Sequence, residues 1–171
     1  APDMQGVLSD RQKHNVRNWL EEYLQSQSYD RIVAAARHLR SEVEVLFRID
    51  TLGIEGKIDA LAQFETGRYH LIDYKTGPWT EHTDERYRFQ IGLYSEGLRQ
   101  AAGRYPETAR LVYLEAGGHQ EFDPRQAARG AVEISRKLLD DIRNEHFAAT
   151  PSERCHRCNY AWACEHSDAS R

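Results

Sequence analysis

The chain of 171 residues is poor in cysteine, has no long apolar run and carries no excess of positive charge. Each shortage excludes something. No stretch approaches the roughly 18–20 consecutive apolar residues that a membrane-crossing helix needs. Residues 1–9 have neither a basic start nor an apolar core, so they do not read as a secretory signal. A cytoplasmic location with no membrane partner is therefore expected. The chain does not open with Met, which points to residues upstream of Ala1. The formal net charge of −4 argues against a protein that holds nucleic acid by bulk positive charge. It leaves room for an enzyme acting on nucleic acid, because such a site needs local carboxylates and the basic residues can cluster on one face. Arg125, Arg129, Arg136, Lys137 and Arg143 supply such a face, and a solvated helix surface explains them equally well. The three cysteines fall within ten residues near the C-terminus. An odd, tightly grouped set is a poor disulfide framework and reads better as a metal or cluster site in a reducing compartment.

What is present is an ordinary globular balance, 40% hydrophobic and 29% charged, in a length suited to one domain with a full core. There is no internal repeat. Ser9 and Gln12 have capping-box spacing, and Val16, Trp19, Leu20, Tyr23 and Leu24 follow at helical spacing. A second helix is expected over 29–40. Val43, Val45 and Phe47 then alternate with Glu42, Glu44 and Leu46, the period of a strand. A second strand is expected over 52–64, with Gly53 and Gly56 as breakers, then a hairpin turn at Glu65-Thr66-Gly67 and a third strand over 68–75. Thr76-Gly77-Pro78 ends that strand. A helix over 84–102 and a fourth strand over 108–116 follow. Asp123-Pro124 opens a last helix running to about Phe147, with an N-cap followed by Pro at the first helical position. The order α-α-β-β-β-α-β-α implies an α/β fold with a mixed central sheet flanked by helices. The expected core is 1–150, and 151–171, after the linker Thr150-Pro151-Ser152, is the cysteine segment packed on it.

The informative stretch is Gly56-Lys57-Ile58-Asp59 followed by Ile72-Asp73-Tyr74-Lys75-Thr76-Gly77. The turn at 65–67 lets Asp59 and Asp73 face each other across a strand pair. Asp73 and Lys75 are two apart, so they share one face. The carbonyl of Tyr74 lies between them as a further possible ligand. Carboxylates suit a hard cation such as Mg²⁺ or Mn²⁺, which polarises a phosphate and acidifies a water. A neighbouring lysine orients the attacking water or offsets transition-state charge. An Asp-x-Lys pair on a strand is usually a plain surface ion pair. Here it ends an apolar strand just before a loop, where sites tend to lie.

These residues resemble the RecB-like branch of the PD-(D/E)XK nucleases, which includes the AddB nuclease domains and the CRISPR-associated RecB-like exonucleases. The resemblance runs from His14 to Cys164. It implies a restriction-endonuclease-like core in which Asp59 and Asp73 hold the metal and Lys75 assists the water. It also implies a Gln-x-x-x-Tyr motif on the next helix, matched by Gln90 and Tyr94, whose spacing puts both on one helix face. The bland reading makes Tyr94 core and Gln90 a surface amide. The family often adds a first-helix histidine to the metal site. His14 matches, but without the small residue and Gly that usually precede it, and a solvent-facing role is the equal alternative. His38, placed on the second helix, is its rival. Glu42 and Glu44 occupy a region where related enzymes carry an accessory Glu, or are plain strand-edge charges.

Cys155, Cys158 and Cys164 form Cys-x2-Cys-x5-Cys, a spacing at which thiolates bind an iron–sulfur cluster or zinc. It resembles the C-terminal part of the [4Fe-4S] staple of AddB-type and CRISPR-associated nucleases. In those a fourth cysteine lies upstream of the first-helix histidine. Here it lies before Ala1, or the cluster is incomplete, or His156 or His166 replaces it; with a His ligand Zn²⁺ competes with the iron–sulfur cluster, which is the favoured reading. The implied activity is Mg²⁺- or Mn²⁺-dependent hydrolysis of DNA, most simply as an exonuclease on single-stranded ends. The implied setting is repair or recombination beside a helicase, or spacer acquisition beside a CRISPR integrase. The alternative from another class is a non-catalytic, zinc-stabilised module that binds nucleic acid or serves as a scaffold.

Overall fold

The structure is a computed structural model and describes residues 9–77 and 81–166. Two compact units divide after Arg136, within the last long helix, and not at the linker near Pro151. The first unit is built on a five-stranded sheet in the order β1-β2-β3-β4-β5. Its strands are β1 (His38–Ile49), β2 (Leu52–Gln63), β3 (Tyr69–Lys75), β4 (Thr108–Tyr113) and β5 (Gly118–Phe122). Neighbours are antiparallel except β3 and β4, which run parallel. Parallel neighbours need a long crossover, and α3 (Glu81–Ala102) supplies it. The mixed sheet flanked by helices is the architecture expected from the sequence.

Two apolar layers hold the sheet. On one, Val45, Phe47, Ile58, Leu71 and Leu111 meet Ile91 and Leu98 of α3 and Ala127 of α4 (Pro124–Arg143). On the other, Ala60, Ala62, Ile72 and Val112 meet Ile32 and Val33, with Tyr23 and Tyr29 packed beside them. α3 and α4 approach very closely at Gly92. A Cβ there would stand 2.3 Å from the backbone oxygen of Ala127, so only glycine fits.

α1 (Asp10–Leu24) carries the expected capping box. Ser9 N–H donates to Gln12 Oε1 at 2.8 Å, and Gln12 N–H donates to Ser9 Oγ at 3.4 Å. α1 buries no residue fully, and Tyr23 is its anchor, edge-on to both Tyr29 and Tyr74. At the head of α4, Asp123 Oδ1 accepts from the N–H groups of Arg125 and Gln126 at 2.8 and 2.9 Å.

Three expectations are corrected. The second helix is only α2 (Gln27–Tyr29) with a π-helical turn, Asp30–Ala34, and β1 begins at His38. His38 is therefore a strand residue, paired with Gln63. The alanine-rich stretch 34–36 ends a helix because the chain must reach the edge of β2, and tertiary pairing overrides local preference. The apolar run 108–116 stops as a strand at Tyr113. The chain turns, with Gly117 at φ 66°, into β5, which sequence reading missed. Gly-His-Gln-Glu-Phe has one apolar position facing the core, Phe122, so its alternation is too short to register. Pro78 of the strand-ending loop lies outside the described residues.

Candidate active site

β2 and β3 pair in the register Ala60↔Ile72 and Leu61↔Leu71. Continued by one residue, that register sets Asp59 opposite Asp73. Directly opposed residues of an antiparallel pair share a face. The strands are further tied where Tyr74 N–H donates to Asp59 Oδ2 at 2.8 Å. In chain order, β1 meets the same place with Glu42, between the pairs Ser41↔Ala60 and Val43↔Ile58. Glu42 has a left-handed backbone, φ 54°. Non-glycine residues in that conformation carry strain, and such residues concentrate at functional sites. The alternation of β2 shifts at the same point. Ile58 and Leu61 join one apolar layer while Ala60 and Ala62 join the other. The Glu42 carboxylate itself pairs with Lys57 at 2.8 Å.

Asp73 is 1% exposed. Burial pushes its carboxyl above its ordinary value, Lys75 pulls it back, and the nearby Asp59 charge raises it further. Lys75 Nζ makes an ion contact with Asp73 Oδ2. The same ammonium donates to Gln90 Oε1 at 3.1 Å, and Gln90 Nε2 donates to Tyr94 Oη at 2.9 Å. It also sits 4.4 Å from the centre of the Tyr87 ring. A chain of contacts thus runs Asp73–Lys75–Gln90–Tyr94 from β3 onto α3. Tyr94 in turn rests on Gly56 of β2, whose missing side chain leaves the space its ring occupies. Sequence reading missed Tyr87, and it took Gly56 as a breaker and the opening of the Asp59 motif without giving it a packing role. A glycine three residues before a strand aspartate was the available signal for a close approach.

The carboxylates fit a divalent cation in part. Asp73 Oδ2 is buried against the Lys75 ammonium, and its remaining lone-pair capacity suits a hard cation. Asp59 stands opposite it. A Mg²⁺ bound through one or two carboxylates completes its shell with water and substrate oxygens. The expected third protein ligand is not brought in. His14 is exposed on α1, and its ring lies 3.3 Å from Asn18 Nδ2, one turn along the same helix. Among the described residues no group of three His, Cys, Asp or Glu side chains is placed to share a metal. Tyr74 lies between the site residues on β3 as expected. Its N–H binds Asp59, while its side chain turns to the opposite layer and its hydroxyl lies 3.3 Å from that of Tyr23.

In the second unit, the cysteine segment forms two short 3₁₀ turns, Glu153–Arg157 and Ala161–Ala163. Cys155, Cys158 and Cys164 are free thiols, and Cys158 and Cys164 are exposed. The described residues do not gather them, or His156 and His166, into a ligand set. Sequence spacing brought the thiols near one another along the chain, but the turns do not converge them. The donor set therefore does not fit the expected [4Fe-4S] cluster or zinc site.

Two cavities flank the sheet at different distances from the site. One of about 360 Å³ opens beside Gln90 and Tyr94. Another of about 640 Å³, lined by Arg68, Arg104 and Arg125, lies at the far end of β3, against Tyr69, away from the carboxylates.

The family model of the PD-(D/E)XK nuclease superfamily matches residues 3–165. Among solved structures, a protein from Eubacterium rectale, whose name gives it as a candidate exonuclease, superposes with TM-score 0.58 over 94% of this chain at 12% identity. The protein SSO0001 superposes with TM-score 0.53 over 85% of the chain at 20% identity. At these identities the likeness is one of fold. The chain spans 63% and 65% of those two proteins. No curated protein matches it in sequence.

Proposed function

The chain belongs to the PD-(D/E)XK nuclease superfamily, and from that premise we propose that it is a Mg²⁺- or Mn²⁺-dependent deoxyribonuclease that works as an exonuclease on single strands. The observation that carries the reading is the nearness of the Asp59 charge to the buried Asp73 at the end of the β2–β3 pairing, with Lys75 on Asp73 and tied to Gln90.

Asp59 and Asp73 would hold the cation. When bound, it supplies Lewis acidity to a phosphate oxygen and lowers the pKa of a water. The remaining roles fall to the protein. The buried Asp73 carboxylate gives a fixed negative pole in a site of low dielectric. Lys75 offers an ammonium to the attacking water or to charge growing on the phosphate. Gln90 holds that ammonium against free rotation, and Tyr94 holds Gln90. The superfamily generally uses Mg²⁺ or Mn²⁺, which agrees with an all-oxygen donor pair. A repair setting beside a helicase and a spacer-acquisition setting beside an integrase both suit this chemistry. The non-catalytic zinc-held alternative loses its support with the dispersed cysteines.

The test is cleavage of end-labelled single-stranded and duplex DNA in Mn²⁺ by wild type, Asp73→Asn and Lys75→Ala. Both variants are expected to lose about 10²–10³-fold in rate. Equal activity in wild type and Lys75→Ala would reject the site.

A further inference from the structure

We propose that the cavity beside Gln90 and Tyr94 is a subsite for one unpaired nucleobase of the substrate strand, with Phe89 as its stacking platform. The proposal rests on the nuclease reading above and adds a specificity determinant to it.

The cavity, about 360 Å³, is in the size range of pockets that hold small organic groups. Its walls come from β1, β2 and one face of α3. Phe47, Tyr87, Phe89 and Tyr94 line it with aromatic rings, and Leu93 adds an aliphatic wall. Two of these residues, Tyr87 and Tyr94, also touch the Lys75–Gln90 chain. Gln90 itself lines the cavity. Gln90 thus joins the cavity wall to Lys75, so a base held there would belong to a nucleotide close to the scissile phosphate.

Phe89 lines the cavity and, among the described residues, stands outside the core packing. It is half-buried, yet it belongs to neither apolar layer, whereas its neighbours Tyr87, Leu93 and Tyr94 all pack on the core. It shares the cavity wall with them. Aromatic rings stack any base, because every base has a π-face. Arg86, exposed on the same wall with its guanidinium 5.4 Å from the Tyr87 ring, places positive charge where a strand's phosphates would pass. A base inside a duplex is stacked and paired, so it enters only after being freed. The subsite therefore selects single strands and frayed ends.

The experiment is a chemical double-mutant cycle. Wild type and Phe89→Ala act in Mn²⁺ on a set of short single strands, each carrying one abasic position, and on the intact strand. Binding of the same strands to Asp73→Asn, with and without Phe89→Ala, is followed by fluorescence anisotropy without divalent cation. Circular dichroism and the melting temperature establish that each variant is folded. Phe89→Ala is expected to raise KM about tenfold on the intact strand. One abasic position should raise KM similarly for wild type and add little for Phe89→Ala. If folded Phe89→Ala keeps wild-type KM, or if every abasic strand costs both proteins equally, the subsite is overturned while the nuclease stands. If wild type and Asp73→Asn cleave alike, the nuclease reading fails. The anisotropy arm then decides the subsite alone, and affinity indifferent to Phe89 and to the abasic positions overturns it.

Discussion

A Cβ placed on Gly56 would stand 2.8 Å from Cε1 of Tyr94. The tyrosine ring lies where any other side chain on β2 would project, and its hydroxyl accepts from Gln90. Gly56→Ala must push the free end of a side chain rather than the backbone. Its main effect is therefore expected on activity. The rate should fall about tenfold, by roughly 1.4 kcal/mol of misplacement, with the melting temperature shifting by only a few degrees. Steady-state cleavage kinetics beside a thermal melt check this. A large loss of stability with unchanged specific activity would contradict it.

Gly92 makes the opposite case. The atom its Cβ would meet is the backbone oxygen of Ala127, at 2.3 Å, which cannot swing away. Gly92→Ala is expected to cost about 1–3 kcal/mol of stability through the forced separation of α3 and α4. Activity per folded molecule should hold. Urea unfolding reads the change as a lower midpoint at constant slope.

The tether between Lys75 and α3 can be cut without touching the carboxylates. Gln90→Leu leaves the Lys75 ammonium on Asp73 but removes its partner at 3.1 Å. The expected result is a kcat about tenfold lower with a nearly unchanged KM, the mark of an interaction used mainly in the transition state. Loss confined to KM would instead give Gln90 a substrate-binding role.

Asp73 makes stability depend on pH in a stated direction. Burial, the largest influence, raises its folded pKa above the ordinary value, against the pull of Lys75. A group that holds its proton more tightly when folded contributes stability at low pH and loses it as pH rises through the folded value. Without divalent cation, wild type should therefore lose stability relative to Asp73→Asn as pH climbs from about 4. At neutral pH the variant should melt at or above wild type. Added Mn²⁺ should raise the wild-type melting temperature and leave Asp73→Asn unmoved, because only the folded carboxylate binds it. A variant less stable at every pH, with no trend, would contradict the assignment.

Much of the fold was legible because its signals are local. The capping box at Ser9, the turn at Gly67 and the Asp123-Pro124 helix start are each written within four residues. The hairpin that carries Asp59 and Asp73 was legible too, since one turn sets the pairing of β2 with β3. The illegible parts depend on distant chain. The run 29–40 looked helical until pairing of His38 with Gln63 drew it into a strand. β5 needed β4 as a template. His14 has the helix and spacing of a ligand, yet its ring contacts Asn18, because the orientation of α1 is set by Tyr23 on Tyr74 and not by the site. The cysteines show the same limit, since closeness along the chain does not bring thiols to a common point.

Every group proposed for the chemistry lies between Gly56 and Tyr94, one run of sequence through β2, β3 and α3 as far as Tyr94. The remainder of the sheet and both outer helical layers serve it as supports. Such a cassette can keep its reacting parts while the periphery is exchanged. The turns at Asp50-Thr51 and at Gly117 lie outside that run.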